Sequence, residues 1–220
     1  MTKPGEPRPP AKRGYGWIVG VAGAVLIVYV LLNTLRTDGP GASGLAEGIR
    51  LPPFATPLVL SKLDGDANVA RHSDSGGAGK VAACTVVRPD VLNSCTLGHD
   101  HPLVIGFLFT RGAKCASVFD AMQKASRTYP DVRFAGVVVK GDRDEARTLV
   151  RKQGWTFPVG YDRDGGIANV YGIAVCPELV FAYPGGVVRE TAIGENLAKD
   201  LGARVRALEA GAKARGWKPS

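Results

Sequence analysis

The chain has 220 residues, of which 45% are hydrophobic and 22% are charged, a composition typical of a globular protein with one domain of ordinary size. Its net charge of +8 is concentrated at the two ends: residues 1–14 hold four basic residues against one acidic, and residues 199–220 hold six against two. Proteins that bind nucleic acid gather basic residues around a binding face, so this distribution does not indicate nucleic acid as a partner.

The first predicted element is a helix that crosses a membrane. Residues 15–35 form a run of 21 residues without a charge, enough to cross a hydrocarbon core of about 30 Å. Lys12 and Arg13 precede the run, so the positive-inside rule places residues 1–14 in the cytoplasm and the rest of the chain outside. The alternative is a cleaved signal peptide, but its apolar region is shorter, about 7–15 residues, and ends at a small-residue cleavage site. We therefore expect a single-pass anchor in the cell membrane with an extracytoplasmic domain.

Residues 36–50 are rich in Gly, Ser and Ala and are predicted to form a flexible linker, and the folded domain is expected over residues 51–215. Outside the cytoplasm, disulfides persist, and an even number of cysteines fits two bridges with three possible connectivities. The four cysteines are Cys84, Cys95, Cys115 and Cys176. Cys84 and Cys95 enclose a short hairpin-like loop, for which a structural disulfide is the favoured interpretation and a pair of exchanging thiols the alternative.

From Pro102 onward, strand and helix patterns alternate. Buried-strand patterns occupy residues 103–109, 132–139, 157–161, 178–183 and 187–193, and helical patterns occupy residues 115–129, 142–152, 165–171 and 195–214. Asp142 and Glu145 suit the start of the second helix, and Gly154 suits its end. This order predicts an α/β fold in which a mixed β-sheet carries helices on both faces.

Two separate segments resemble the thioredoxin family. The segment "VIGFLFTRGAKC", which ends at Cys115, resembles the strand and helix start that carry the Cys-x-x-Cys motif of thioredoxins and of membrane-anchored TlpA-like thioredoxins. Cys115 matches the second cysteine of that motif, and Gly112 stands in the place of the first. The segment "YGIAVCPELVFAYPGG" resembles the loop and hairpin around the family's cis-proline, which Pro177 matches. The resemblance covers about residues 51–210 and implies a thioredoxin-like fold.

The resemblance also implies where the chemistry lies. The residue before the cis-proline faces the start of the active-site helix in this family, so Cys176 would lie near Cys115 despite their separation of 61 positions. Arg111 and Lys114 flank Cys115, and the helix N-terminus adds positive potential, which would favour its thiolate. We expect Cys115 and Cys176 to exchange disulfides with protein thiols in place of a Cys-x-x-Cys pair. A purely structural bridge and two unbonded buried cysteines are the alternatives.

Departures from the family pattern leave the activity open. Gly112 cannot act as a nucleophile, and Gly106 holds the place of the buried acidic residue that takes up a proton in ordinary thioredoxins. A peroxiredoxin-like peroxidase is one alternative, although the Pro-x-x-x-Thr-x-x-Cys pattern of that family is absent ahead of Cys115. A non-catalytic binding module with structural disulfides is the other. The measurement that separates these classes is the titration of free thiols together with the reduction potential of the Cys115–Cys176 pair.

No cofactor or metal is expected from the sequence. His99 and His101 in "GHDHP" offer at most two imidazoles and the Asp100 carboxylate on one loop, with no further cluster of ligands, so a polar turn is the favoured interpretation. No phosphate-binding loop is present in the sequence.

Overall fold

The computed structural model describes residues 16–36, 44–73, 81–110, 113–194 and 196–219. The chain divides into two units, residues 1–39 and residues 40–220. In the first unit, helix α1 covers Gly16–Arg36 and so coincides with the predicted membrane helix. In the described part of the chain, however, no helix combines the length and the apolar character needed to cross a membrane, so the transmembrane prediction is not confirmed.

The second unit contains five strands, β3 Leu103–Leu108, β4 Arg133–Val139, β5 Val159–Asp162, β6 Glu178–Tyr183 and β7 Val187–Ile193. They form one mixed sheet in the order β5-β4-β3-β6-β7. Strands β3, β4 and β5 are parallel, whereas β6 and β7 pair antiparallel to their neighbours. The helices are α3 Ala113–Thr128, α4 Arg143–Gln153, α5 Gly166–Tyr171 and α6 Leu197–Ala214. The predicted elements from Pro102 onward are therefore all present.

Alternation along the strands divides the core between the two faces of the sheet. In β3, Val104 and Leu108 join a cluster with buried residues of α3, α4 and α6, whereas Ile105 and Phe107 join a second cluster with buried residues of α5. Both faces are therefore covered by helices, as the sequence predicts.

Two glycines at matching positions allow α3 to lie close to the sheet. Gly106 in β3 is directly paired with Gly136 in β4. A Cβ built at Gly106 would lie 2.7 Å from the Met122 sulfur, and one built at Gly136 would lie 2.5 Å from Cε1 of Phe119. Since Met122 and Phe119 belong to α3, the paired glycines determine how closely the helix that carries Cys115 approaches the strands.

The region before β3 is more structured than the sequence suggests. Strands β1 Ala55–Pro57 and β2 Val91–Asn93 pair antiparallel, and the short helix α2 Ser94–Leu97 follows directly. Between Cys84 and Cys95 the chain passes from a 3₁₀ turn through a turn at Pro89 and Asp90 into β2, and it does not form a hairpin. At this turn Arg88 Nε lies 2.8 Å from Asp90 Oδ1 in a surface ion pair.

Residues 44–50, part of the predicted linker, pack against the edge strand β7. The Gly48 N–H donates to the Val188 carbonyl at 2.8 Å, Arg50 forms a bridge with Val187, and Leu45 is buried. The folded unit therefore includes these residues ahead of Leu51. The remaining linker residues 37–43 lie outside the described residues.

Candidate active site at Cys115 and Cys176

The structure joins Cys115 and Cys176 in a disulfide with a Cα–Cα distance of 5.7 Å, which is ordinary for bridged cysteines. Cys115 lies in the first turn of α3, and Cys176 lies in the loop between α5 and β6. The loop meets the helix start because β6 is paired with β3, the strand that leads into α3. The two cysteines thus come together although 61 positions separate them.

The two sulfur-bearing residues differ in accessibility. Cys115 is only 5% exposed and belongs to the core cluster beneath α3, whereas Cys176 is half-buried at the edge of that cluster. Ala174 and Val175, just ahead of Cys176, are exposed. Of the two residues, Cys176 is therefore the more accessible to solvent. If the bridge were cleaved, a Cys115 thiolate would lie in the first turn of a helix, where its charge is favoured.

The other residues predicted near the site are only partly visible. Pro177 is buried and follows a cis peptide bond, which matches the role that the resemblance assigns to it. Arg111 and Gly112 lie outside the described residues, and of Lys114 only the backbone is described. The electrostatic role of Arg111 and Lys114, and the position of Gly112 relative to the bridge, remain predictions.

Packing explains why Gly106, and not an acidic residue, stands at this position of β3. The space beside Gly106 is filled by the side chains of Met122 and Leu179, whose nearest atoms would lie 2.7 and 3.0 Å from a Cβ at this position. A carboxylate there would be both crowded and without water, and burial of an unpaired charge is costly. The face of the sheet under α3 therefore leaves no room for an acid at this position.

An acidic residue that the sequence analysis did not single out lies on the other face of the sheet. Glu178 is the first residue of β6, two positions after Cys176, and is fully buried. Within the described residues, neither of its carboxylate oxygens has a hydrogen-bond partner. Burial raises the pKa of Glu178 from 4.5 to about 7. The only signal in the sequence is an acidic residue immediately after Pro177, within an otherwise apolar strand.

The segment before the predicted domain boundary explains why Glu178 is buried. Gly44 covers the carboxylate so closely that a Cβ added to it would collide with Oε1 of Glu178 and with the Thr191 side chain. Thr191 in turn donates a hydrogen bond of 2.8 Å to the Leu45 carbonyl. The burial of Glu178 therefore depends on a contact between residues more than 130 positions apart.

Replacement of Glu178 by Gln is expected to raise stability at pH 8 and to leave it nearly unchanged at pH 4.5. The pKa of Glu178 is about 7 in the folded state and 4.5 ordinarily, so folding favours the protonated side chain. Its contribution to stability is fully present below pH 4.5 and is lost as the pH rises through 7. The gain at pH 8 is at most about 3 kcal/mol. Urea unfolding at both pH values measures it, with Glu190→Gln as a control, since Glu190 is paired with Arg189 and Arg204. No gain at pH 8 would contradict the prediction.

The remaining cysteines form a second disulfide. Cys84 and Cys95 are bridged with a Cα–Cα distance of 5.4 Å, and no free cysteine remains among the described residues. Cys84 lies in the 3₁₀ turn Ala83–Thr85, and Cys95 lies in α2. This bridge lies before β3, outside the loop and helix that form the Cys115–Cys176 site.

The two histidines of the "GHDHP" segment have separate contacts. Nδ1 of His99 lies 2.7 Å from Oδ1 of Asp100, whereas Nδ1 of His101 lies 3.2 Å from the Asp131 carbonyl. Arg133 donates to the other ring nitrogen of His101 at 3.2 Å. In the described parts of the chain, no three His, Cys, Asp or Glu side chains are grouped so that they could hold a metal ion.

Comparison with known proteins supports the fold. A thiol:disulfide interchange protein of the thioredoxin family from Chlorobium tepidum TLS is similar with a TM-score of 0.54 and 18% identity, over 74% of this chain and 98% of that chain. A candidate DsbE thiol:disulfide interchange protein from Chlorobium tepidum gives 0.57 and 15%, with the same coverage. An uncharacterized conserved protein from Geobacillus kaustophilus gives 0.55 and 15%, over 76% and 83%.

No protein-family model matches the chain, and no curated protein matches it. The likeness is therefore one of structure, over about three quarters of the chain. The domain therefore has the thioredoxin-like fold.

Proposed function

We propose that the protein exchanges disulfides with protein thiols through Cys115 and Cys176. The observation that carries the proposal is the bridge between the half-buried Cys176 and the buried Cys115 at the start of α3. The fold supports it, because the two similar Chlorobium tepidum proteins are named as thiol:disulfide interchange proteins. The pair takes the place of the Cys-x-x-Cys motif that the sequence lacks.

The difference in accessibility assigns a role to each cysteine. A substrate thiolate attacks the Cys176 sulfur, a mixed disulfide forms, and Cys115 leaves as a thiolate that then takes up a proton. The second thiolate of the substrate then attacks the substrate sulfur that is bonded to Cys176. This step forms the substrate disulfide and releases the Cys176 thiolate. The substrate loses two electrons and the protein gains two. In the reverse direction, Cys176 attacks a substrate disulfide and Cys115 resolves the intermediate.

A peroxidase is less well supported. That activity requires a cysteine thiolate that peroxide can reach, and Cys115 is only 5% exposed and bonded to Cys176. A structural disulfide without exchange is the remaining alternative, and it predicts a bridge that resists reduction.

The proposed location is extracytoplasmic. Two disulfides in one domain of this size suit an oxidising compartment, where such bonds persist. The sequence-based proposal that residues 15–35 attach the domain to the cell membrane, with residues 1–14 in the cytoplasm, remains part of this account. The test is a reporter that works only in the cytoplasm, fused after Ser220. Activity of this reporter would contradict the proposed location.

The function is tested by an interchange assay with a protein substrate. Oxidised protein is mixed with a reduced, unfolded protein that has two cysteines, and disulfide formation in the substrate is followed by alkylation and mass spectrometry. We expect oxidation of the substrate at a rate well above the background, with equal loss of the Cys115–Cys176 bridge. A substrate that stays reduced, or one that is oxidised while this bridge stays intact, would contradict the proposal.

A further inference from the structure

A cleft beside the second disulfide lies at the other end of the sheet from Cys115. A cleft of about 420 Å³ lies against the Cys84–Cys95 disulfide, and Arg50, Leu51, Pro53 and Gly185 form part of its wall. Cys176 precedes the first residue of β6 and Gly185 follows its last, and a six-residue strand spans about 20 Å. The cleft is therefore separate from the site at Cys115.

The two residues of the Cys84–Cys95 bridge are accessible to solvent. Cys84 is exposed and Cys95 is half-buried, whereas Cys115 in the other bridge is buried. Both sulfur-bearing residues line the cleft, so a molecule held there lies beside the bond. An exposed disulfide is more readily attacked by a thiolate than a buried one.

The two segments that carry these cysteines are also held together without the bridge. The Asn93 side-chain amide donates to the carbonyls of Ala83 and Val86, both at 2.9 Å, and its oxygen accepts from the Cys95 N–H at 2.9 Å. Asn93 is itself buried. Because these hydrogen bonds do not involve sulfur, the bridge can open while the two segments keep their positions. Reversible exchange requires that the two cysteines stay close to one another after the bridge opens.

Within the described residues, the cleft wall includes the Arg50 side chain and an apolar surface. The Arg50 side chain is exposed and donates from Nη1 to the Gly185 carbonyl at 3.2 Å, and among the described residues no carboxylate is paired with it. Asp100, which follows the cleft residue His99 in the chain, is paired with His99 and not with Arg50. An anionic group is thus favoured beside Arg50, and Leu51 and Pro53 provide contact for a short carbon chain.

We propose that Cys84–Cys95 is a second exchange site, which takes a small thiol that bears a carboxylate. The thiolate attacks the exposed Cys84 sulfur, the Cys84–Cys95 bond breaks, and Cys95 leaves as a thiolate. A second molecule of the thiol attacks the small-molecule sulfur of the mixed disulfide and releases Cys84. Two small thiols are oxidised to one disulfide, and the two protein thiolates take up the two protons that the small thiols lose. This site does not depend on the proposed function of Cys115 and Cys176.

The test uses the full chain with Cys115→Ser and Cys176→Ser, in which only Cys84 and Cys95 remain. Reduction of the bridge is timed with mercaptoacetate, which bears a carboxylate, and with 2-mercaptoethanol, a neutral thiol of similar size. Against this background, Arg50→Gln is expected to slow reduction by mercaptoacetate about three- to fivefold, the size of one exposed ion pair, and to change the rate with 2-mercaptoethanol less than twofold. Arg50→Lys is expected to restore most of the difference.

Two results would overturn the proposal. One is a bridge that stays oxidised in millimolar thiol while the protein is folded and is reduced only when urea unfolds it, since that is the behaviour of a structural bond. The other is an equal effect of Arg50→Gln on both thiols, because Arg50 would then act only through its contact with Gly185. If the double serine variant does not fold, the same rates are read in the wild-type chain by alkylation and mass mapping of Cys84 and Cys95.

Discussion

Cys115→Ser is expected to lower interchange turnover by at least about 100-fold, because both sulfur atoms are required to complete the two exchange steps. The variant leaves one free thiol, at Cys176, which is half-buried and still accessible. That thiol can attack a substrate that already has a disulfide, which forms a mixed disulfide and releases one substrate thiol, but no Cys115 thiol remains to resolve the intermediate. A trapped complex linked through Cys176 should therefore accumulate, and it is measured by non-reducing electrophoresis and peptide mapping.

The matched control is the double variant Cys84→Ser and Cys95→Ser, which keeps the Cys115–Cys176 bridge. Turnover with a protein substrate should stay within about twofold of wild type, because the Cys84–Cys95 bridge lies outside the loop and helix that form the Cys115–Cys176 site. Turnover of Cys115→Ser at the wild-type rate would show that Cys115 takes no part. Two free thiols in Cys115→Ser would show that the cysteines had paired differently.

Phe119→Ala is expected to cost about 3–5 kcal/mol of stability, the range for removal of a large buried aromatic side chain. Phe119 is fully buried one helical turn after Cys115, and its ring centroid lies 4.9 Å from that of Trp155 and 5.9 Å from that of Phe157. It also packs over Gly136, where no side chain is available to fill the space. The loss would leave a cavity between α3 and the sheet.

Urea unfolding of the oxidised protein measures this loss. The control is Val87→Ala, since Val87 is 66% exposed and its replacement should change stability by no more than about 0.5 kcal/mol. A loss below about 1 kcal/mol in Phe119→Ala would mean that α3 does not rest on the sheet through this side chain.

Most of the central fold could be predicted because its signals are local. Strand β3 is a continuous apolar run, α3 has apolar residues at helical spacing before Pro130, and Asp142 with Gly154 marks the ends of α4. The Asp142 side chain accepts hydrogen bonds from the Asp144 and Glu145 N–H groups, as an N-cap residue does. Such patterns determine an element largely from the residues within it.

Elements that depend on distant partners could not be predicted in the same way. Strands β1 and β2 have three residues each and pair with one another across more than 30 positions. The composition of residues 44–50 is that of a linker, yet Leu45 is buried against the far end of the chain. Short pairings at long sequence separation leave little periodic signal.

The candidate site shows the same division. The approach of Cys176 to Cys115 could be expected from a resemblance at two motifs, because the fold places the cis-proline loop beside the helix start. The burial of Glu178 could not, since an acidic residue in a strand is usually exposed, and this one is covered by Gly44. Its environment is set by a contact that no local pattern records.

The most direct test of the account is the reduction potential of the Cys115–Cys176 bridge, measured in the Cys84→Ser and Cys95→Ser variant. The protein is equilibrated in a series of thiol–disulfide buffers, its thiols are trapped at low pH, and the reduced fraction is read by mass spectrometry. An exchanging pair predicts a potential above about −300 mV, within reach of biological thiols. A potential well below that value would show that the bridge is structural and would contradict the proposed function.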